Sequence, residues 1–185
     1  MLTFYRLFRM PKGVSKTELE KWGFIATGLS VAALVHTFIA EVRYIPSPSM
    51  QPTLQIDDRV LVNKLSYKSV PVRRGDIIVF QPPEALSKFN IKGALVKRVI
   101  GLPGERVQVK NGQVYVGDRF FIKNYIAHNP KYDWGPQVIP PKSYLVLRDN
   151  RNQSFDGHNW GFLPQDRIIG RTFLRFWPPY RGKLF

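Results

Sequence analysis

Val107-Gln108-Val109-Lys110-Asn111-Gly112-Gln113-Val114-Tyr115-Val116 alternates apolar and polar residues on both sides of an Asn-Gly pair. Asn-Gly accepts the positive φ angles of a two-residue hairpin turn, so these ten residues predict a β-hairpin. The neighbouring sequence carries the same signature. Residues 59–63, 76–80, 94–100, 143–147 and 171–177 are β-branched or aromatic runs, punctuated by Pro71, Gly75 and Gly101-Leu102-Pro103-Gly104. Residues 120–141, rich in aromatics and proline, read as loop. The pattern predicts a mainly β domain built on a coiled, mostly antiparallel, barrel-like sheet, with residues 106–142 as either a small β subdomain or an extension of it.

Upstream the pattern changes. Residues 22–40, WGFIATGLSVAALVHTFIA, contain no Lys, Arg, Asp or Glu and no polar stripe. At 1.5 Å per residue a helix of this length spans about 28 Å, close to the thickness of a bilayer core. The run continues into Glu41-Val42-Arg43 without a small-x-small cleavage site, so it reads as an uncleaved anchor over residues 22–42. Arg6, Arg9, Lys12, Lys16 and Lys21 precede it, which places residues 1–21 in the cytoplasm and residues 43–185 on the far side.

The formal charge is +15, from 28 Lys+Arg against 13 Asp+Glu. These charges are scattered, with no basic run and no nucleic-acid motif, and proximity to anionic headgroups accounts for them as well as nucleic acid would. The chain has no Cys, which excludes disulfides, thiolate metal sites and a cysteine nucleophile.

Just past the anchor stands Pro46-Ser47-Pro48-Ser49-Met50-Gln51-Pro52-Thr53-Leu54, whose prolines make the backbone stiff and non-helical. The segment reads either as a linker or as a platform for a positioned serine. A serine nucleophile needs a base. His158 follows Asp156 by two residues, so a Ser49–His158–Asp156 triad is one arrangement, although i and i+2 rarely converge on one point. The other base is a lysine. In residues 95–100 the alternation sets Lys97 on one face with Leu95 and Val99, where it reads either as a lysine snorkelling from an edge strand or as one whose pKa burial would lower, whereas Arg98 stays charged.

Four segments in order resemble the boxes of type I signal peptidases, the leader peptidases of bacteria and chloroplasts: residues 46–54, Arg74-Gly75-Asp76-Ile77-Ile78-Val79-Phe80, Lys97-Arg98-Val99-Ile100-Gly101-Leu102-Pro103-Gly104-Glu105, and residues 149–161, DNRNQSFDGHNWG. The resemblance implies that Ser49 is the acylated nucleophile and Lys97 its general base. It makes Ser47 an oxyanion donor beside the Ser49 N–H, and Ser154 the group that orients Lys97. Asp149, Arg151 and Asp156 would hold the site's loops together, with Arg98 as partner to Asp156. Ile45, Pro46, Leu54 and Val96 would line apolar pockets for small substrate side chains, and His158 is left without a catalytic role. Two positions depart from the family pattern: Arg148 stands where Gly is usual, and Asn152 where bacterial members commonly have Asp, which resembles cyanobacterial and plastid members.

The expected activity is removal of signal peptides from exported preproteins after small-x-small motifs, by a domain on the periplasmic, extracellular or thylakoid lumenal side. Partners would be the preproteins, the lipid bilayer and the translocation machinery, with no nucleic acid, metal or cofactor. The alternative is a catalytically reduced paralogue that binds exported segments.

Overall fold

A computed structural model describes residues 16–34, 39–89, 91, 93–120, 129–151 and 156–185. Asn152 and Ser154 lie outside the described residues. The chain forms two compact units, Met1–Phe38 and Ile39–Phe185.

The first unit is described through one helix, α1 (Lys16–Leu34), with Glu18 in its first turn, where the helix dipole favours an acid. Trp22, Phe24, Ile25, Leu29, Val31 and Leu34 are all exposed on it. No helix among the described residues is long and apolar enough to cross a membrane. The expected anchor reached residue 42, but residues from Ala40 onward are extended: β1 (Ala40–Tyr44) pairs with β2 (Arg59–Asn63) in the register Ala40↔Asn63. The alternation Glu41-Val42-Arg43-Tyr44 explains this, since period two sends the charged pair to one side of the strand. Glu41 takes ion pairs there from Arg43 and, at 3.6 Å, from Lys64.

In the second unit, after a single turn α2 (Ser66–Ser69), come β3 (Ile77–Phe80), β4 (Leu95–Gly101), β5 (Arg106–Lys110), β6 (Gln113–Val116), β7 (Arg119–Phe120), β8 (Trp134–Val138) and β9 (Ser143–Leu147). They are followed by α3 (Gly157–Trp160), β10 (Leu163–Pro164), β11 (Ile168–Trp177) and β12 (Lys183–Leu184). The larger sheet is antiparallel in the order β1-β2-β11-β3-β4-β9-β10, with β12 on β11. It is an open path with β1 and β10 at its edges, so the barrel-like expectation resolves into a curled sheet. β11 shifts register three times against its neighbours, and such irregularities sharpen the local twist.

The predicted hairpin is the centre of the second sheet, β7-β6-β5-β8. Asn111 (φ 52°) and Gly112 (φ 72°) supply the two positive φ angles, and Lys110 pairs with Gln113. β8 falls inside the stretch read as loop. Pro136 has no N–H to donate, which hides the strand from a sequence reading; β8 tolerates it because it lies at the edge of its sheet.

Three apolar clusters fill the second unit. Ile45, Met50, Leu54, Val60, Val62, Ile77 and Val79 form one, with Val96 packed against it. Val72, Ile78, Phe80, Val99, Tyr144, Val146 and Leu163 form another. Val107, Val109 and Val114 of the hairpin join Ile100, Ile139, Leu145 and Leu147 in the third, which welds the two sheets together.

Candidate active site

Pro48–Met50 is a single 3-10 turn entered from Ser47 in extended geometry (φ −136°, ψ 155°), as the alternating prolines require. Leu54 N–H donates to Met50 O at 2.8 Å, and the Met50 and Leu54 side chains plug into the first cluster. Ser49 is thereby set on a short, well-packed turn and is itself 8% exposed.

Two groups converge on that hydroxyl. Ser47 Oγ donates to Ser49 Oγ at 3.1 Å, and Lys97 Nζ lies 3.4 Å from the same atom. Lys97 reaches it from β4, whose register against β3 is Ile78↔Lys97. The lysine is 4% exposed, and its Nζ also donates to Val96 O at 2.9 Å. Burial is the main cause that brings its pKa down to about 7, the nearby Arg148 guanidinium adds to the fall, and Asp156 and Asp149 oppose it. An ammonium here lacks bulk water and faces another cation, so the free amine is populated near neutral pH.

The supporting groups come from the loop after β9. Arg98 clasps Asp149 in a two-pronged pair, Nε to Oδ1 at 2.8 Å and Nη2 to Oδ2 at 2.6 Å, with both side chains buried. The same guanidinium donates to Gly75 O at 2.8 Å and to Thr53 Oγ1 at 3.1 Å, which ties the proline-framed serine segment to β4. Arg98 was expected to partner Asp156; the carboxylate in its grip is Asp149. Asp156 instead caps α3 and accepts from the backbone N–H groups of His158 and Arg148, each at 3.2 Å. Arg151, fully buried, donates from Nε to Arg148 O at 2.5 Å, and Asn150 N–H donates to Ser49 O at 3.2 Å.

Of the four expected pocket residues, Pro46 is exposed, Val96 half-buried and Ile45 3% exposed. Leu54 has no exposed surface and packs within the first cluster. A groove of about 560 Å³ lies at the head of β4, with Arg43, Pro83, Leu86, Ala94, Arg167 and Ile169 among its walls.

The sequence reading passed over three contributors. Thr53 receives Arg98 through its hydroxyl, and its carbonyl accepts from Arg175 Nη1 at 2.6 Å. Asp58 then collects Arg175, Arg181 (3.3 Å) and the Gln55 N–H (2.7 Å), anchoring the far end of the Ser49 segment. Nothing local in the sequence announces Arg175, which acts from more than a hundred residues away. Tyr132 is the third: its ring stacks on His158 with centroids 3.9 Å apart and planes 12° from parallel.

The family model for signal peptidase, peptidase S26, matches residues 17–177. The chain belongs to this family. It is 49% identical over 162 residues to a probable signal peptidase I-2 of Synechocystis sp., covering 88% of this chain and 74% of that protein. It is 53% identical over 163 residues to a signal peptidase I of Leptolyngbya laminosa, covering 86% and 80% of the two chains. A chloroplastic thylakoidal processing peptidase 1 of Arabidopsis thaliana is 37% identical over 158 residues, 83% of this chain and 46% of that one. Signal peptidases of cyanobacterial type are therefore its relatives, in line with the residues around Asn152.

Proposed function

We propose that this protein is a membrane-anchored serine endopeptidase that removes N-terminal signal peptides from exported preproteins. The observation that carries the reading is a buried lysine with a near-neutral pKa, 3.4 Å from a serine on a rigid turn. Lys97 as free amine takes the Ser49 Oγ proton while Oγ attacks the scissile carbonyl carbon. The oxyanion that forms lies against the Ser49 N–H and the Ser47 hydroxyl, which rotates from Ser49 Oγ to donate to it. The Lys97 ammonium then protonates the leaving amine, which departs as the new N-terminus of the mature protein. Water, deprotonated by Lys97, attacks the acyl ester and frees Ser49. Ser154 has the role of orienting Lys97. Asp149, Arg151, Asp156 and Arg98 brace the loops around it.

The substrate is an extended peptide with small residues at the first and third positions before the cut. It adds as a strand beside residues 43–46 and 94–96, with Ile45, Pro46 and Val96 walling its small side chains and Leu54 behind them. The exposed apolar side chains of α1 support a membrane anchor in residues 22–39, with the N-terminus cytoplasmic and the catalytic unit on the periplasmic or thylakoid lumenal side. The bilayer and the translocation machinery are then its neighbours.

The test is cleavage of one model preprotein with a small-x-small site by the full chain in detergent, across pH 6 to 10. Wild type cuts at that site; Ser49→Ala and Lys97→Ala do not. Cleavage that survives Lys97→Ala and is lost in His158→Ala overturns the assignment of the base.

A further inference from the structure

His158 is unused by the mechanism above, yet it is among the most constrained side chains near the site. Its side chain is 10% exposed, and Nδ1 lies 2.6 Å from Asp156 Oδ1. Facing a carboxylate at that distance, Nδ1 carries the proton and donates it. One face of the imidazole is covered by Tyr132, stacked nearly parallel, so the ring cannot rotate off the carboxylate without breaking the stack. Tyr132 lies two residues before β8, and the first residue of that strand, Trp134, meets Phe162 edge-on at 6.3 Å. The margin of the second sheet therefore touches α3, the short helix that Asp156 caps, at His158, and the chain just beyond it at Phe162.

Asp156 in turn acts on the base. Its Oδ2 accepts the Arg148 N–H, and its charge favours the ammonium form of Lys97 while Arg148 disfavours it. The other groups facing this point are Asp149, held by Arg98, the Ser49 hydroxyl and the buried Arg151. The neutral Tyr132 phenol, held above its ordinary pKa by burial and Asp156, adds no charge.

We propose that His158 is a positioning residue for the Lys97-dependent reaction: clamped by Tyr132, it donates to Asp156 and fixes that carboxylate, in place and in effective charge, beside Arg148 and Lys97. This rests on Lys97 being the base. It also gives the second sheet a task in catalysis, since the clamp that aligns His158 comes from that sheet's margin.

The test compares full-chain wild type, His158→Phe, His158→Asn, Tyr132→Leu and Lys97→Ala in preprotein cleavage, with kcat and KM measured from pH 6 to 10. His158→Phe keeps a ring for the stack and removes the donor, so less of the Asp156 charge is neutralised. The acid limb of kcat/KM moves up by about half a pH unit, with KM unchanged and the alkaline plateau retained. His158→Asn restores a donor near the Nδ1 position and brings the limb back. Tyr132→Leu leaves the donor but frees the ring, and moves the limb in the same direction as His158→Phe. A purely structural His158 predicts a lower melting temperature with an unshifted limb in both the Phe and the Leu variants, and that result overturns the proposal. Lys97→Ala separates the two readings: if it still cleaves, the base assignment fails whatever the His158 variants do.

Discussion

Lys97 Nζ and Ser49 Oγ face each other at 3.4 Å across the space between β4 and the proline-framed turn. The lysine is 4% exposed, and burial with the help of Arg148 brings its pKa to about 7 from 10.5. Only the free amine can accept the serine proton, so kcat/KM rises with pH through an apparent pKa near 7 and levels off above it. Lys97→Ala lowers kcat by roughly 10²- to 10⁴-fold, the usual reach of general-base catalysis. Initial rates of preprotein cleavage between pH 5.5 and 10 check both statements.

The same burial has a cost in stability. Between about pH 7 and 10.5 the unfolded chain binds a proton at Lys97 that the folded chain lacks, so stability climbs with pH across this window and is lowest below it. Lys97→Met, similar in length and apolar, removes the penalty. The variant is therefore more stable than wild type by a few kcal/mol near pH 7, and the advantage shrinks toward pH 10. Chemical denaturation at pH 7 and pH 10 measures it; an advantage that grows with pH contradicts the assignment.

Arg148 occupies the position where the family usually has glycine. Its half-buried guanidinium opposes a charge on Lys97, and burial lowers its own pKa as well. Arg148→Met keeps most of the stem and removes the cation. Lys97 then holds its proton more tightly, and the acid limb of the rate profile shifts to higher pH by about half a unit. A limb that stays in place or moves down shows that the guanidinium does not act on the base.

Much of the β structure was legible because period two and turn chemistry act locally: the Asn111-Gly112 hairpin and strands β2 and β9 stand where their alternation puts them. β8 was not, because Pro136 reads as a breaker and only its place at a sheet edge makes it tolerable. The proposed pairing of Ser49 with Lys97 rests on four sequence boxes taken together, since the alternation around Lys97 does not by itself separate a buried base from a surface lysine. The partner of Arg98 was misassigned for a reason of register. Arg98 lies opposite Leu147, which brings it to Asp149 two residues further along, while Asp156 is turned toward the backbone of α3 that it caps. Such pairings depend on strand register and loop path, which the sequence expresses weakly.

Arg98 and Asp149 show how buried charges brace the site. Asp149→Ala strands a buried guanidinium and costs about 3–5 kcal/mol. The double variant Arg98→Met/Asp149→Leu removes both charges and regains much of that stability. It still loses activity, because the tie from Arg98 to Thr53 Oγ1 is gone. Urea denaturation and cleavage assays on the three proteins separate the two effects; a double variant as unstable as Asp149→Ala refutes the stranded-charge account.

Gly101 marks the seam between the sheets. A Cβ added there meets Ile139 Cδ1 at 2.3 Å, Val107 Cγ2 at 2.9 Å and Leu145 Cβ at 3.3 Å. All three neighbours belong to the third cluster, where there is no slack. Gly101→Ala therefore wedges the sheets apart and destabilises the catalytic unit by about 1–3 kcal/mol. The nearest clash is with the tip of Ile139, so Ile139→Val, which removes that methyl, relieves it. The double variant Gly101→Ala/Ile139→Val is more stable than Gly101→Ala alone, although Ile139→Val by itself costs about 0.5–1.5 kcal/mol. Melting temperatures of the four proteins close the cycle, and strictly additive losses contradict a steric conflict at this seam.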